Sequence, residues 1–320
     1  MTPATLTRKD FLSILDFDAS DLERCIERAA QLKADRRRAS RVPTAGALCG
    51  RHVAMLFEKP SLRTRTTFEI AVRELGGEVV GLQPDVALGL REAVSDVARN
   101  LERWVDAIVI RTFSQTVLEE FAASTKCLRV INALSDQEHP CQAVADFLTL
   151  QEKWGTLRGR TVAYVGDGNN VATSLAHAAA MLGVNMHVAS PEAYQLPHAA
   201  VQQATAVARH GARLRLFSDP ADAVANADAI YTDTWTSMGQ EAEAEIRRGV
   251  FERYQVNDAL MARARPGALF MHCLPAHRGE EVSAKVFESA ASVVFDQAEN
   301  RLHVQKALLL MLLAPAQTLA

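Results

Sequence analysis

The sequence predicts an α/β protein of two domains, each a parallel β-sheet flanked by helices. Three observations predict it. The chain has 320 residues, too many for one ordinary core, and two domains of about 150 residues each is the natural division. Hydrophobic residues make up 48% and charged residues 23%, the composition of a globular protein. The second half alternates apolar strand-like runs with helical spacing, and that alternation implies parallel strands with helices on both faces.

The elements follow in order. Residues 19–36 have helical spacing, with Leu22, Cys25, Ile26, Ala29 and Leu32 apolar and Ser20 as the expected N-cap. HVAMLF (52–57) reads as a buried strand. A turn at Lys59-Pro60 leads into a helix over 61–75 that ends at Gly76-Gly77. Then come strand EVVGL, a helix over 93–104, strand 107–111, strand LRVIN (128–132) and a helix starting near Pro140. The second half gives strand 161–166, helix 170–182, strand 185–190, helix 197–209, strand 213–217 and helix 220–226. Strand 229–233, helical residues 257–264, strand 268–273, strand SVVFD and a last helix over 302–314 close the chain. The boundary falls near 148–158, around QEKWGTLRG. This gives domains over 1–148 and 149–320, with the last helix free to pack back on the first.

Charge and cysteine usage exclude several classes. A formal net charge of -3 leaves no electrostatic footprint for nucleic acid. The five cysteines are odd in number and none forms a C-x-x-C pair, which argues against a zinc ribbon or a disulfide framework and for a reducing compartment. The N-terminus lacks the charged-then-apolar layout of a signal peptide. The apolar run 307–315 is far short of a membrane span. A cytoplasmic enzyme with neither a nucleic-acid nor a membrane partner is expected.

Five segments carry chemistry. Ser61-Leu62-Arg63-Thr64-Arg65-Thr66 lies between a buried strand and a helix start. Free N–H groups and the helix dipole attract an anion there, and hydroxyls and a guanidinium suit phosphate oxygens. The same residues also suit a plain helix cap. His139-Pro140-Cys141-Gln142 follows a strand and opens a helix. His139 and Gln142 can face the carboxyl end of the sheet and donate to a carbonyl oxygen gaining charge, although a buried histidine above a first-turn proline reads equally well. Cys141 suits a packed small hydrophobe. Gly166-Asp167-Gly168-Asn169-Asn170 resembles the start of a dinucleotide fingerprint, but Val171 stands at the third glycine. An asparagine at that strand end can instead clamp an amino acid. Asp233-Thr234-Trp235-Thr236-Ser237-Met238-Gly239-Gln240 follows a strand and suits a loop closing on a cation, or a simple polar surface loop. Met271-His272-Cys273-Leu274-Pro275 ends an apolar strand, so the Cys273 thiol can line the same end of its sheet. It raises nucleophilic catalysis and metal binding, but no complete metal-ligand set is present.

These segments, in this order, resemble the ornithine carbamoyltransferases within the aspartate/ornithine carbamoyltransferase family. HPCQ, D-x-x-x-S-M-G, HCLPAHRGEEV and AENRLHVQK carry the resemblance, which runs from about residue 8 to the C-terminus. It implies carbamoyl phosphate bound mainly by the first domain, the amino acid by the second, no cofactor or metal, and a homotrimer with active sites at subunit borders. By resemblance, Ser61, Leu62, Arg63 and Thr64 hold the phosphate, and Arg111, His139 and Gln142 hold the carbamoyl oxygen. Asn170, Asp233, Ser237 and Met238 hold ornithine, while Cys273, Leu274 and Arg301 complete the site on the carbamoyl phosphate. The S-M-G loop favours ornithine; putrescine and N-acetyl- or N-succinylornithine are the alternative acceptors.

Two positions depart from the family pattern. The first motif is usually Ser-Thr-Arg-Thr-Arg, and Leu62 replaces its first threonine. Losing one hydroxyl to a charged group costs about 1.5–3 kcal/mol if nothing compensates. Ala87 stands where many members carry a glutamine before Leu-Gly.

Overall fold

A computed structural model describes residues 9–38, 44–87, 92–236 and 241–314. The chain divides into two units: unit 1 is Met1–Leu148 with Glu299–Ala320, and unit 2 is Thr149–Ala298.

Unit 1 begins with α1 (Ala19–Arg38). Asp18, rather than Ser20, opens it, its carboxylate accepting the Asp21 N–H at 2.8 Å. Then follow β1 (His52–Phe57), α2 (Leu62–Glu74), β2 (Glu78–Leu82), α3 (Pro84–Ala87), α4 (Val94–Leu101), β3 (Ala107–Arg111), α5 (Gln115–Ser124), β4 (Arg129–Leu134) and α6 (Pro140–Trp154), which runs into unit 2. The sheet order is β2-β1-β3-β4, all pairs parallel. β1 is buried from Val53 to Phe57 and β3 from Ala107 to Ile110, as strands covered on both faces must be.

Unit 2 continues with β5 (Thr161–Val165), α7 (Asn170–Leu182), β6 (Asn185–Ala189), α8 (His198–Ala206), β7 (Leu214–Phe217), α9 (Pro220–Val224) and β8 (Ala229–Thr232). After it come α10 (Ala244–Phe251), α11 (Asp258–Met261), β9 (Leu269–His272), α12 (Ala284–Phe287) and α13 (Val294–Leu313). The order is β7-β6-β5-β8-β9, again all parallel. Ile230, Phe251, Phe270 and Val256 centre a core that Trp235 and Tyr254 close.

Two further expectations need correction. SVVFD is not a strand: Ser292 makes one isolated bridge to Phe270, and α13 starts at Val294. The β-branched pair Val293-Val294 sends a strand signal, but the ladder stops after the Phe270 backbone pairs with Ala291 and Val293. The last helix is correspondingly longer than 302–314. Its portion from Glu299 belongs to unit 1, where the fully buried Lys306 donates to Glu74 at 2.8 Å and Lys33 donates to Asn300 at 2.7 Å.

Gly168 settles how the turn after β5 is used. Its N–H donates to the Tyr194 carbonyl at 2.8 Å. A Cβ there would stand 2.4 Å from the Leu196 nitrogen and 2.8 Å from the Tyr194 oxygen. The 194–196 backbone therefore lies on the glycine, where a dinucleotide's pyrophosphate would need open space. Because backbone cannot swing aside as a side-chain tip can, Gly168→Ala should destabilise the protein by about 1–3 kcal/mol, the usual cost of overpacking. Denaturant unfolding checks this, and an unchanged midpoint would contradict the packing described.

Candidate functional site

Both sheets reverse the direction of strand addition once. In unit 1 the reversal lies between β1 and β3, and in unit 2 between β5 and β8. At such a switch point the following connections diverge, and the carboxyl ends of the strands open to ligands. Ser61 to Thr64 and Arg111 fall at the first of these places and Asn170 and Asp233 at the second; His139 and Gln142 follow β4, Cys273 and Leu274 follow β9, and Arg301 lies on α13.

In unit 1, β1 ends at Phe57 and α2 starts at Leu62. Ser61 occupies the N-cap with extended backbone, yet its side chain makes no capping hydrogen bond. The plain-cap reading therefore fails, and the helix-start N–H groups lack the hydroxyl that would normally occupy them. Leu62 is 77% exposed, so its side chain adds nothing to the core. Arg63 is half-buried and Thr64 buried. The Thr64 hydroxyl accepts from Arg301 on α13. Arg111 ends β3, paired in register with Phe57, and its carbonyl accepts the Glu58 N–H at 2.8 Å.

His139 and Gln142 sit where β4 gives way to α6. The loop before them is braced: Glu138 accepts from the Ser13 hydroxyl at 2.5 Å and from the Ile14 N–H at 3.2 Å. His139 is 5% exposed. Burial first, and then the guanidiniums of Arg301, Arg111 and Arg63, push its imidazole well below the usual range. The ring is therefore neutral at physiological pH and donates without adding charge. Those three arginines come from three different elements, α2, β3 and α13. Gln142 is fully buried; its amide donates to Asp146 at 2.8 Å, which orients the group. Cys141 packs as a hydrophobe: it is buried, its thiol donates to the Asn132 carbonyl at 3.3 Å, and burial pushes its pKa up to about 12.

In unit 2, Asp233 follows β8 and is 8% exposed. One oxygen accepts the Cys273 thiol at 2.9 Å and the Thr234 N–H at 2.8 Å; the other accepts the Asn169 amide at 2.9 Å. Asn169, not assigned a role from sequence, caps α7 by accepting from Val171 and Ala172, and its oxygen also accepts the Tyr164 hydroxyl at 3.2 Å. Asn170, the expected ligand, is the first residue of α7 and half-buried beside it. The N-cap position just past a strand was the signal that could have singled out Asn169. Ser237 and Met238 lie outside the described residues. The segment leading to them is anchored by Arg247, which donates to the Trp235 carbonyl at 3.0 Å and to Asp167 at 2.7 Å, with its guanidinium 4.8 Å from the Tyr194 ring centre. Nothing local in the sequence joins Arg247 to Asp167.

Leu274 follows Cys273 with a left-handed backbone, φ 62°, and precedes Pro275 through a cis bond. The donor atoms of Asp233, His272 and Cys273 lie within 4.8 Å of one another. Both ring nitrogens of His272 already have protein partners, however: the Leu274 N–H at 2.9 Å and Glu281 at 3.2 Å.

Chemically, unit 1 gathers guanidiniums, hydroxyls and neutral donors, a set suited to a phosphoryl group joined to a carbonyl. Unit 2 gathers a carboxylate, a thiol and an amide, a set suited to an amine. The comparisons agree with this division. The family model described as "Aspartate/ornithine carbamoyltransferase, carbamoyl-P binding domain" matches residues 9–152, and that described as "Aspartate/ornithine carbamoyltransferase, Asp/Orn binding domain" matches residues 158–312. An ornithine carbamoyltransferase from Symbiobacterium thermophilum is 48% identical over 97% of this chain and 99% of its own. One from Thermosynechococcus vestitus is 47% identical over 97% of each chain. Among solved structures, ornithine carbamoyltransferase from Pyrococcus furiosus superposes with TM-score 0.91 at 46% identity, covering 96% of this chain and 98% of that one. With both domain models matched in order and relatives alike from end to end, the chain belongs to the aspartate/ornithine carbamoyltransferase family.

Proposed function

We infer that the chain catalyses transfer of the carbamoyl group of carbamoyl phosphate to the side-chain amine of L-ornithine, giving L-citrulline and phosphate in arginine metabolism. The observation that carries the chemistry is the cluster of Arg63, Arg111 and Arg301 around a neutral, buried His139. The acceptor rests on the relatives: those from 44% to 48% identity over 96–97% of the chain are named ornithine carbamoyltransferase. Putrescine and acylated ornithines are not favoured.

In this proposal the N–H groups at the start of α2, with Ser61, Arg63, Thr64 and Arg301, grip the phosphate. Leu62 contributes its backbone N–H alone. Arg111, His139 and Gln142 donate to the carbamoyl oxygen as the amine adds and the oxygen gains charge. His139 does this as a neutral donor. Gln142 is held for it by Asp146.

The nucleophile must be uncharged. A primary alkyl amine has a pKa of about 10.4, so only a small fraction is ready near pH 7. Asp233 and Cys273, joined at 2.9 Å, orient it; Asn170, Ser237 and Met238 hold the rest of the amino acid, and Leu274 completes the site beside Cys273. The amine's nitrogen forms the new C–N bond, the C–O bond to phosphate breaks, and the departing phosphate takes up the released proton. No covalent enzyme intermediate is required. Assembly as a homotrimer and a cytoplasmic address belong to the same proposal. No helix among the described residues is long and apolar enough to cross a membrane.

Product formation from carbamoyl phosphate with ornithine, N-acetylornithine, N-succinylornithine and putrescine tests the reading; ornithine should dominate, and preference for another amine would overturn the acceptor. Arg63→Ala should lower kcat/KM by about two to three orders of magnitude, the usual worth of a charge-stabilising donor; near-normal kinetics would move the anion site elsewhere. Cys273→Ser should raise KM for ornithine while some turnover survives. A carbamoyl-cysteine adduct trapped on the wild-type enzyme would refute the orienting role.

A further inference from the structure

Unit 2 buries an imidazole–carboxylate pair that the mechanism above leaves unused. His272, the last residue of β9, is fully buried, as is Glu281. The Leu274 N–H donates to His272 Nδ1 at 2.9 Å. That nitrogen therefore carries a lone pair, and the ring proton sits on Nε2. Nε2–H faces Glu281 Oε1 at 3.2 Å. Glu281 is itself pinned: the same oxygen accepts the His277 N–H at 2.5 Å, and its carbonyl accepts the Val256 N–H at 2.9 Å. The His272 N–H is held by Gln297 Oε1 at 3.0 Å.

The clamp grips a point where the backbone needs it. Leu274 has φ 62°, a region in which an L side chain crowds its own backbone. On its N-terminal side stands Cys273, whose thiol reaches Asp233. Without a partner for its N–H, Leu274 would relax toward ordinary φ and swing the thiol away from the carboxylate. With both ring nitrogens engaged inside the protein, His272 is placed neither to take a proton from the amine nor to ligate a metal.

We propose that His272 and Glu281 are positioning residues for carbamoyl transfer: the carboxylate orients the imidazole, and the imidazole clamps the Leu274 N–H, holding the turn that aims the Cys273 thiol at Asp233. The proposal rests on the reading of Cys273 and Asp233 as the groups that orient the amine. A displaced reactive group of this kind costs about a hundredfold in rate.

The experiment compares His272→Leu, His272→Asn, Glu281→Ala and Glu281→Gln with the wild type. It measures hydrogen exchange of the Leu274 amide, kcat and KM for ornithine, and Kd for carbamoyl phosphate. His272→Leu and Glu281→Ala should speed Leu274 exchange and lower kcat/KM for ornithine by about a hundredfold, with carbamoyl phosphate affinity falling much less because most of its proposed groups lie in unit 1. Glu281→Gln should stay near wild type, since an amide oxygen accepts the same two N–H groups. His272→Asn should recover part of the loss through its own acceptor. Unchanged Leu274 exchange in a folded His272→Leu or Glu281→Ala variant overturns the clamp. So does a Glu281→Gln variant as damaged as Glu281→Ala, which would mean the charge itself matters. If His272→Leu does not fold, Glu281→Ala carries the same test. A wild type that makes no citrulline would sink the functional reading alone, because amide exchange still reports on the clamp.

Discussion

A parallel sheet that adds strands first on one side and then on the other must let its connections part at the reversal. That constraint governs where chemistry can occur here. β1 and β3 in one unit, and β5 and β8 in the other, flank such partings. The chain leaving β1, β3 and β5 enters a helix after a short connection, so helix-start N–H groups and strand-end side chains arrive together there. The hydrophobic strands supply rigidity, and the polar groups are borne on their last residues or just beyond. Arg111 ends β3, and Asp233 follows β8 by a single residue.

The two partings are furnished with opposite electrical character. In unit 1 the side chains that converge on His139 are cationic or neutral donors, and burial strips the imidazole of its own charge. In unit 2 the convergent groups are acceptors and soft donors around Asp233, with the Tyr164 phenol, pushed well above its usual range by burial and by Asp233, kept as a neutral hydroxyl. Low local dielectric strengthens both arrangements, and it is tolerable because Asp146, Asn169 and Glu281 accept from neighbouring donors.

Much of this was legible in the residues. The apolar runs gave the strands, since strands buried on both faces have to be almost wholly apolar, and HPCQ and S-L-R-T-R stood at strand ends where ligands bind. Helix α5 is legible too: Val117, Leu118, Phe121 and Ala122 repeat with helical spacing, and Ser114 accepts the Thr116 N–H as a cap. SVVFD misled because β-branched residues favour strands locally while the ladder that would hold them ends after one bridge. Other features could not be read locally at all. Arg247 reaches Asp167 across 80 positions of chain, and Lys306 reaches Glu74 across 232; such pairings exist only once tertiary packing has chosen them. Asn169 lies between the two kinds: its cap role was readable from position, its bond to Asp233 was not.

The crowding of Arg63, Arg111 and Arg301 near one imidazole also bears on the enzyme between turnovers. Like charges confined in a partly desolvated recess push against one another. Any tetrahedral oxyanion entering there discharges that tension, so occupancy and folding become linked quantities. In the proposed reaction the departing phosphate is such an anion, so that product stabilises the protein and competes with carbamoyl phosphate.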